Sequence, residues 1–392
     1  MEGWQTSCFE DCIEPVVYTT KIQRKDFLTE GEYPIVSQED GLINGFWDSD
    51  ADLFRIDRPV VIFGDHTRAL KYIDFDFVLG ADGVKILKPK PFLHSRYFYY
   101  QLQTARLNSL GYARHYRLLK EHKVLYPNYA EQRRITSILD DAFDAIAMAT
   151  VNAEKSLQSA VDLYESALDL ALSQHGGSSS CTTLGVEVDL LAGFAFPSKG
   201  YIADEGGVRL LRGDNIMQGY LRWDDAKYWP ANNLEPFARF VLKEGDVVLA
   251  MDRPWVKAGL KRAQITESDL PSLLLQRTAR LRPGSRMRMD FLFHLISSRM
   301  FSRHLLSVQT GIGVPHISGK QIESFKLMLP SLVEQQAIAG RLDDLQSHTK
   351  RLKKLYEGKL AALDELKKSL LHQAFTGKLT AKTTDKQVEA VA

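Results

Sequence analysis

The sequence predicts an α+β chain in which two similar globular domains are separated by two long antiparallel coiled-coil helices, the halves related by an internal pseudo-two-fold repeat. Three observations predict this. A self-similarity with a period of 203 residues runs without a gap through about 45 residues. Both copies of the repeated segment read as proline-started helices with heptad spacing. Each is preceded by a stretch of short apolar runs broken by Gly, Asp and Asn turns, which favours mixed α and β structure.

The repeat is the firmest of the three. Pro127, Glu131, Gln132, Ile135, Leu139, Asp140 and Asp141 recur as Pro330, Glu334, Gln335, Ile338, Leu342, Asp343 and Asp344. The register continues through Glu154/Glu357, Leu157/Leu360, Leu163/Leu366, Ser166/Ser369, Leu168/Leu371 and Ala171/Ala374. A period of this kind bounds the fold before any element is assigned. It divides the chain into a first globular domain (1–128), a first long helix (129–176), a second globular domain (181–330), a second long helix (331–378) and a tail (379–392).

In the first domain, Pro34-Ile35-Val36 through Asn44-Gly45-Phe46 echoes Arg209-Leu210-Leu211 through Gln218-Gly219-Tyr220 of the second, and Val60 to Asp65 echoes Val247 to Asp252. Helix-like stretches follow in both, Phe92–Ser109 and Met289–Val308. Each leads to a loop, Gly111 to Tyr116 and Gly311 to His316. The tryptophans Trp47, Trp223, Trp229 and Trp255 are read as core.

Each long segment has a Glu-Gln pair in its first turn and no internal proline. The first ends at Gly176-Gly177 and the second near Gly377. In the first, Ile135, Ala142, Ala149, Ser156, Leu163 and Leu170 form one row and Leu139, Ile146, Ala153, Ala160 and Ala167 another. The second shows Ile338, Leu345, Leu352 and Leu366 beside Leu342, Tyr356, Leu363 and Leu370, broken by Lys359 and Thr349. Small residues facing leucines allow close approach. The first helix is acidic and the second carries nine bases against six acids from Glu334 to Lys378, so they attract. Antiparallel packing lets the intervening domain leave and return through short linkers. Forty helical residues span about 60 Å, close to two turns of B-DNA at about 34–36 Å each.

The net charge of +1 hides a segregation. Val84 to Asn128 holds nine Lys/Arg and one acid, Glu121; Arg253 to Lys320 holds twelve Lys/Arg against Glu267, Asp269 and Asp290. Glu131 to His175 has three bases and eight acids. Basic blocks at matching places in two similar halves point to nucleic acid. Candidate contacts come from loops, where polar side chains are free of core packing. In the first half these are Ser37, Gln38, Asn44, His66, Arg68, Arg114, His115 and Tyr116. In the second they are Arg212, Asn215, Arg253, Lys257, Arg277, His316 and Lys320. Arginine pairs naturally with guanine and Asn or Gln with adenine, and the other bases suit phosphates.

The composition excludes other classes. Hydrophobic content of 44% and charged content of 25% are those of a folded protein, and no run of about 18 apolar residues could span a bilayer. No N-terminal signal segment is expected, and Cys8, Cys12 and Cys181 suit a reducing, cytoplasmic setting without a zinc site. There is no phosphate-cradling loop, no metal cluster and no glycine turn for S-adenosylmethionine. Asp252-Arg253-Pro254-Trp255 resembles the Asp-Pro-Pro-Tyr tetrad of amino-methyltransferases, but Arg253 stands where proline belongs. No catalytic residue is expected.

Together these features resemble the specificity subunits of type I restriction-modification systems. The resemblance covers nearly the whole chain. It rests on the twice-repeated alternation of domain and helix, on the junctions Pro127…Glu131-Gln132 and Pro330…Glu334-Gln335, and on Ala374-Phe375-Thr376-Gly377-Lys378-Leu379-Thr380, which looks like that family's helix exit. Tyr126-Pro127-Asn128 departs from the more usual double proline or Leu-Pro without disturbing the register. The resemblance implies two target recognition domains reading the halves of an asymmetric, interrupted sequence in double-stranded DNA. It further implies helices that set the spacer and dock two methyltransferase subunits, with S-adenosylmethionine bound by those partners. Restriction subunits using ATP and magnesium could join them; no cofactor is expected on this chain, nor a role in chemistry. Two other readings stay open: a helical scaffold whose end domains bind proteins, and a DNA-modifying enzyme with an unrecognised site.

Overall fold

The computed structural model describes residues 3–81, 83–105, 107–108, 111, 113–173, 179–203, 206–232, 234–256, 259–311 and 314–380. The chain divides into two units, one of Met1–Glu154 with Glu357–Ala392 and one of Lys155–Tyr356. Each unit therefore joins a globular part to the start of its own long helix and the end of the other. That differs from the linear division read from the sequence.

The first globular part runs β1 (Gln5–Cys8), β2 (Ile13–Glu14), β3 (Lys21–Ile22), β4 (Tyr33–Val36), β5 (Gly45–Trp47), β6 (Leu53–Phe54), β7 (Val60–Gly64), β8 (Leu70–Ile73), β9 (Phe77–Gly80), β10 (Val84–Pro89), α1 (Ser95–Leu102), α2 (Tyr116–Lys120) and β11 (Lys123–Tyr126), and enters α3 (Tyr129–Ser173). Its sheets have the orders β2-β10-β7-β8 and β3-β9-β4-β5, with β6 also on β9 and β1 paired with β11. The apolar run Val60-Val61-Ile62-Phe63 is buried on both faces as the middle strand β7, as an uninterrupted hydrophobic stretch of that length requires.

The second part runs β12 (Ser180–Thr183), α4 (Leu184–Glu187), β13 (Val188–Ala192), β14 (Val208–Leu211), β15 (Lys227–Trp229), β16 (Val247–Ala250), β17 (Trp255–Val256), β18 (Gly259–Leu260), β19 (Arg262–Gln264), β20 (Ser272–Leu274), β21 (Thr278–Pro283), α5 (Met289–Ser297), α6 (Arg299–Val308), α7 (Gly319–Glu323), β22 (Lys326–Leu329) and α8 (Leu332–Phe375). The strand order β13-β21-β16-β19 repeats β2-β10-β7-β8, β15-β14-β20 repeats β5-β4-β9, and β12-β22 repeats β1-β11. Even the direction of pairing is kept: β4 lies parallel to β9 and β14 parallel to β20. The faint sequence echoes thus mark one frame used twice.

The repeated helix residues fix each globular part to its helix. Gln132 is fully buried; its Oε1 accepts from His94 N at 2.8 Å and its Nε2 donates to the carbonyls of Phe92 and Pro127 at 3.0 Å each. Gln335 repeats the set on Arg288 N, Arg286 O and Pro330 O, each at 2.8 Å. His94 and Arg288 are the residues preceding α1 and α5, so one amide ties three chain segments together. Asp140 accepts from Arg96 Nε at 2.7 Å and from Tyr100, while Asp343 meets His294 Nε2 at 2.9 Å.

Helix pairing is antiparallel within each unit. In the first, Ile135 and Leu139 share a core with Leu371, Ala374 and Phe375, and Lys367 lies over the Phe143 ring at 5.3 Å. In the second, Leu168 and Leu172 share a core with Ile338 and Leu342, and Gln346 Nε2 donates to Tyr164 OH at 3.1 Å.

Three expectations need correction. The heptad rows hold at the start of α3, where Ile135, Leu139 and Ala153 are buried, but Leu163 and Leu170 are 63% and 56% exposed while Leu168 and Leu172 are buried. A straight helix drifts by about 20° per heptad, so after five heptads the strict row has left the packed face. Among the described residues of Phe92–Ser109 the helix covers Ser95–Leu102, and Met289–Val308 is two helices broken at Ser298, whose Oγ accepts from Phe301 N at 3.1 Å to start α6. Finally, acids of α3 turn to arginines of the globular parts: Asp140 to Arg96, Glu165 to Arg299 and Asp169 to Arg303. The tryptophans are packed as expected; Trp229 is 5% exposed, and the indole N–H groups of Trp47, Trp223 and Trp255 donate to Asp52, Asp269 and Gln309.

Candidate nucleic-acid interface

In the first globular part four loops converge on the tip of the β7–β8 hairpin. Asp65 N donates to Gly83 O at 2.7 Å, and His115 N donates to Asp65 O at 2.8 Å. Tyr116 N donates to Asp65 Oδ1 at 2.8 Å. Thr67 Oγ1 donates to Gln38 O at 2.6 Å, His66 N to Gln38 Oε1 at 3.2 Å, and Arg68 Nη1 to Leu107 O at 2.9 Å. The loop between β4 and β5 is closed by Asn44, whose Oδ1 accepts from Ser37 N and Oγ at 2.9 Å each. Lys71 Nζ reinforces it, donating to Gly41 O at 2.5 Å and Asn44 Oδ1 at 2.9 Å, and burial pushes this ammonium down to about 8.

The second part uses the same plan. Asn215 closes the turn after β14, accepting from Arg212 N at 3.1 Å and donating to Arg222 O at 2.9 Å. At the end of β16, Met251 N donates to Arg277 O at 2.8 Å and Arg253 N to Pro315 O at 3.0 Å. The strand register puts Met251 at the position of Asp65, and Asp252, one residue further on, is the acid at this loop. Its Oδ2 forms an ion pair with Arg277 Nε at 3.1 Å and its Oδ1 meets His316 Nδ1.

These contacts sort the candidates read from the sequence. Ser37, His115 and Asn215 are buried, and Asn44 is half-buried. Their polar atoms are spent closing their own loops, so they hold the frame and are not available to a ligand. Tyr116 packs its ring against Phe9 and Phe63 beneath Lys85 and Lys120, and burial raises its hydroxyl to about 12. Arg212 is tied to Asp225 through its carboxylate and carbonyl at 2.9 and 2.6 Å. Gln38 spends its Oε1 on His66 N. The physical reason is common to these: Asn, Ser and Arg at a loop base bond to the local backbone, which is how such loops hold their shape. Lys257 lies outside the described residues. What remains exposed is Arg68 and Arg114 in the first part, and Arg253, Arg277 and Lys320 in the second, with His66 and His316 half-buried beside them.

Three of these share a property invisible in the sequence. Among the described residues, the non-glycine positions with positive φ are Arg68 (64°), Arg253 (45°) and Arg277 (66°). A side chain in that region costs on the order of 1–3 kcal/mol and persists where function holds it. All three are exposed, so no core packing offsets the strain.

Half of the basic block of the second part is paired with acids, five of the six far away in sequence. Arg280 pairs with Asp189, Arg282 with Asp246, Arg286 with Glu187, Arg288 with Asp290, Arg299 with Glu165 and Arg303 with Asp169. Arg253 and Lys320 stay exposed, and Arg277 meets Asp252 through one edge only. The organising acids Asp65 and Asp252, and the latches Gln132 and Gln335, were not among the sequence candidates; recurrence in both halves was the signal that could have found them. Among the described residues no group of three His, Cys, Asp or Glu side chains is placed to hold a metal, and no helix is long and apolar enough to cross a membrane.

A family model described as the type I restriction modification DNA specificity domain matches residues 1–157 and 239–358. The chain is 24% identical over 407 residues to the specificity subunit of the type I restriction enzyme MjaVIII of Methanocaldococcus jannaschii, covering 97% of this chain and 94% of that one. It is 26% identical over 363 residues to the EcoR124I/EcoR124II specificity subunit of Escherichia coli, covering 86% and 84%. A chain solved in work on complex assembly and conformational transition of the type I R-M system superposes with a TM-score of 0.73 at 16% identity, covering 97% of this chain and 99% of that one. The HsdS subunit from Thermoanaerobacter tengcongensis gives 0.53 at 16% identity, covering 97% and 98%.

Proposed function

The chain belongs to the type I restriction-modification DNA specificity family, and from that premise we propose that its two globular parts read the two halves of an interrupted, asymmetric duplex sequence. The observation that carries this reading is one frame used twice with different loop side chains. His66, Arg68 and Arg114 stand on the loops of one copy, and Arg253, Arg277, His316 and Lys320 on those of the other. A common scaffold with different donors is what two different base sequences demand. Arginine on a strained loop supplies a planar fork for a base edge, and lysine supplies a point charge for phosphate.

In this reading α3 and α8 set the spacer between the half-sites and dock two methyltransferase subunits. Those partners flip an adenine from the stack and methylate it with S-adenosylmethionine. Restriction subunits using ATP and magnesium add cleavage. The chain itself is non-catalytic and acts on DNA in the cytoplasm; its work is to place the partners on the right sequence. The unbroken helical run of each long segment supports the ruler, because a helix without proline or internal cap has a fixed rise per residue.

The test is a matched insertion of one helical turn into both long helices, followed by mapping of the methylated sites in cells that also carry the partner methyltransferase. A changed spacer between unchanged half-sites is expected. An unchanged spacer would show that the helices do not measure it. If duplex binding proved insensitive to both sequence and salt, the scaffold reading would replace this one, since phosphate neutralisation makes affinity fall steeply with salt.

A further inference from the structure

Arg277 stands in the tight turn between β20 and β21 at φ +66°, a conformation open to glycine and strained for a side chain. The corresponding turn of the first half, between β9 and β10, has Gly83 at φ +84°. Both turns present a carbonyl to the end of the neighbouring strand: Gly83 O accepts from Asp65 N at 2.7 Å and Arg277 O from Met251 N at 2.8 Å. One frame accepts glycine at one copy and carries arginine at the other. The backbone gains nothing from the arginine, so its side chain is the reason for it.

That side chain is 70% exposed, and its Nε forms an ion pair with Asp252 Oδ2 at 3.1 Å. An ion pair this exposed adds little stability, so the effect of Asp252 is to fix the direction of the guanidinium. With Nε engaged, the two Nη groups have no partner among the described residues. His316, on the other oxygen of Asp252, completes a cluster drawn from three loops.

We propose that Arg277, oriented by Asp252, reads one guanine in the half-site bound by the second globular part. Its two Nη groups donate to O6 and N7 in the major groove, the geometry a bidentate arginine–guanine contact requires. Arg277 touches the base; Asp252 is a positioning residue. The first half, with glycine at this turn, has no such reader there. This assignment rests on the DNA-reading function proposed above.

The experiment maps methylated motifs in cells carrying the full chain with its partner methyltransferase, for wild type, Arg277→Gly and Asp252→Ala. Arg277→Gly relieves the backbone, so its thermal midpoint should not fall and loss of folding cannot mimic the result. The expected outcome is that a single G·C position of one half-site becomes degenerate, with discrimination there falling roughly tenfold to a hundredfold and every other position unchanged. Asp252→Ala should relax the same position by less. An unchanged motif overturns the proposal, as does degeneracy at an A·T position. A uniform loss of affinity across all sequences does so too, since it marks a phosphate contact. A wild-type chain that defines no motif would instead overturn the DNA-reading function itself.

Discussion

Replacing Gln335 by leucine tests whether the repeated glutamine is the latch between helix and globular part. The side chain is fully buried and makes three bonds of 2.8 Å, to Arg288 N, Arg286 O and Pro330 O. Leucine is close in volume and admits no water, so the N–H loses its acceptor and both carbonyls lose a donor. An unsatisfied donor costs about 1–3 kcal/mol and each lost neutral bond about 0.5–1.5 kcal/mol, offset in part by the apolar side chain; the net is roughly 2–4 kcal/mol. For a unit spanning Lys155–Tyr356, each kcal/mol moves the melting temperature by about 2–4 °C, so calorimetry should record a drop of roughly 4–16 °C. Gln132→Leu should cost about the same, because its bonds are the same set at 2.8 and 3.0 Å. Gln335→Glu adds a sign to the test. Its carboxylate can accept from Arg288 N but repels both carbonyls, and protonation restores one donor, so this variant should regain stability as pH falls. A Gln335→Leu protein melting within about 1 °C of wild type, or a glutamate variant indifferent to acid, would refute the latch.

Arg68→Ala and Arg114→Ala should each relax recognition in one half-site and leave the other intact, read from the mapped methylation motif; equal weakening of both halves would assign these residues to general phosphate binding. Burial lowers the pKa of His294, against the opposing pull of Asp343, so its neutral form is favoured in the folded unit. The unfolded chain then binds a proton that the folded one does not, and stability present above about pH 6.5 is lost as pH falls toward the lower folded value. The melting temperature should decline from pH 7.5 to 5.5, and His294→Gln should flatten that decline; an identical slope would mean His294 titrates normally.

Much of the fold was legible because its information is local and written twice. The 203-residue register located both long helices, and α3 and α8 begin within a few residues of where Pro127 and Pro330 placed them. A glutamine recurring on the packed face of each helix was visible as a repeat, but its partners were not. Gln335 reaches Arg286 and Arg288, on a segment 49 and 47 residues away, and no periodicity encodes such a bond. The interface was half legible for the same reason. Loop positions and residue types singled out Arg68, Arg253 and Arg277, and equally Ser37, Asn44 and Asn215, whose bonds turn out to be internal.

The sequence alone determined the duplication, the two helices and the presence of basic blocks in both halves, since each depends on residue identity, spacing or composition along the chain. Only the tertiary structure decided which of those charges are free. The acids that neutralise Arg282, Arg280, Arg286 and Arg299 lie 36, 91, 99 and 134 residues away, and it alone gave three loop arginines a positive φ. Coulomb energy depends on distance in space, and φ on how a turn is closed by its neighbours. Linear order carries neither.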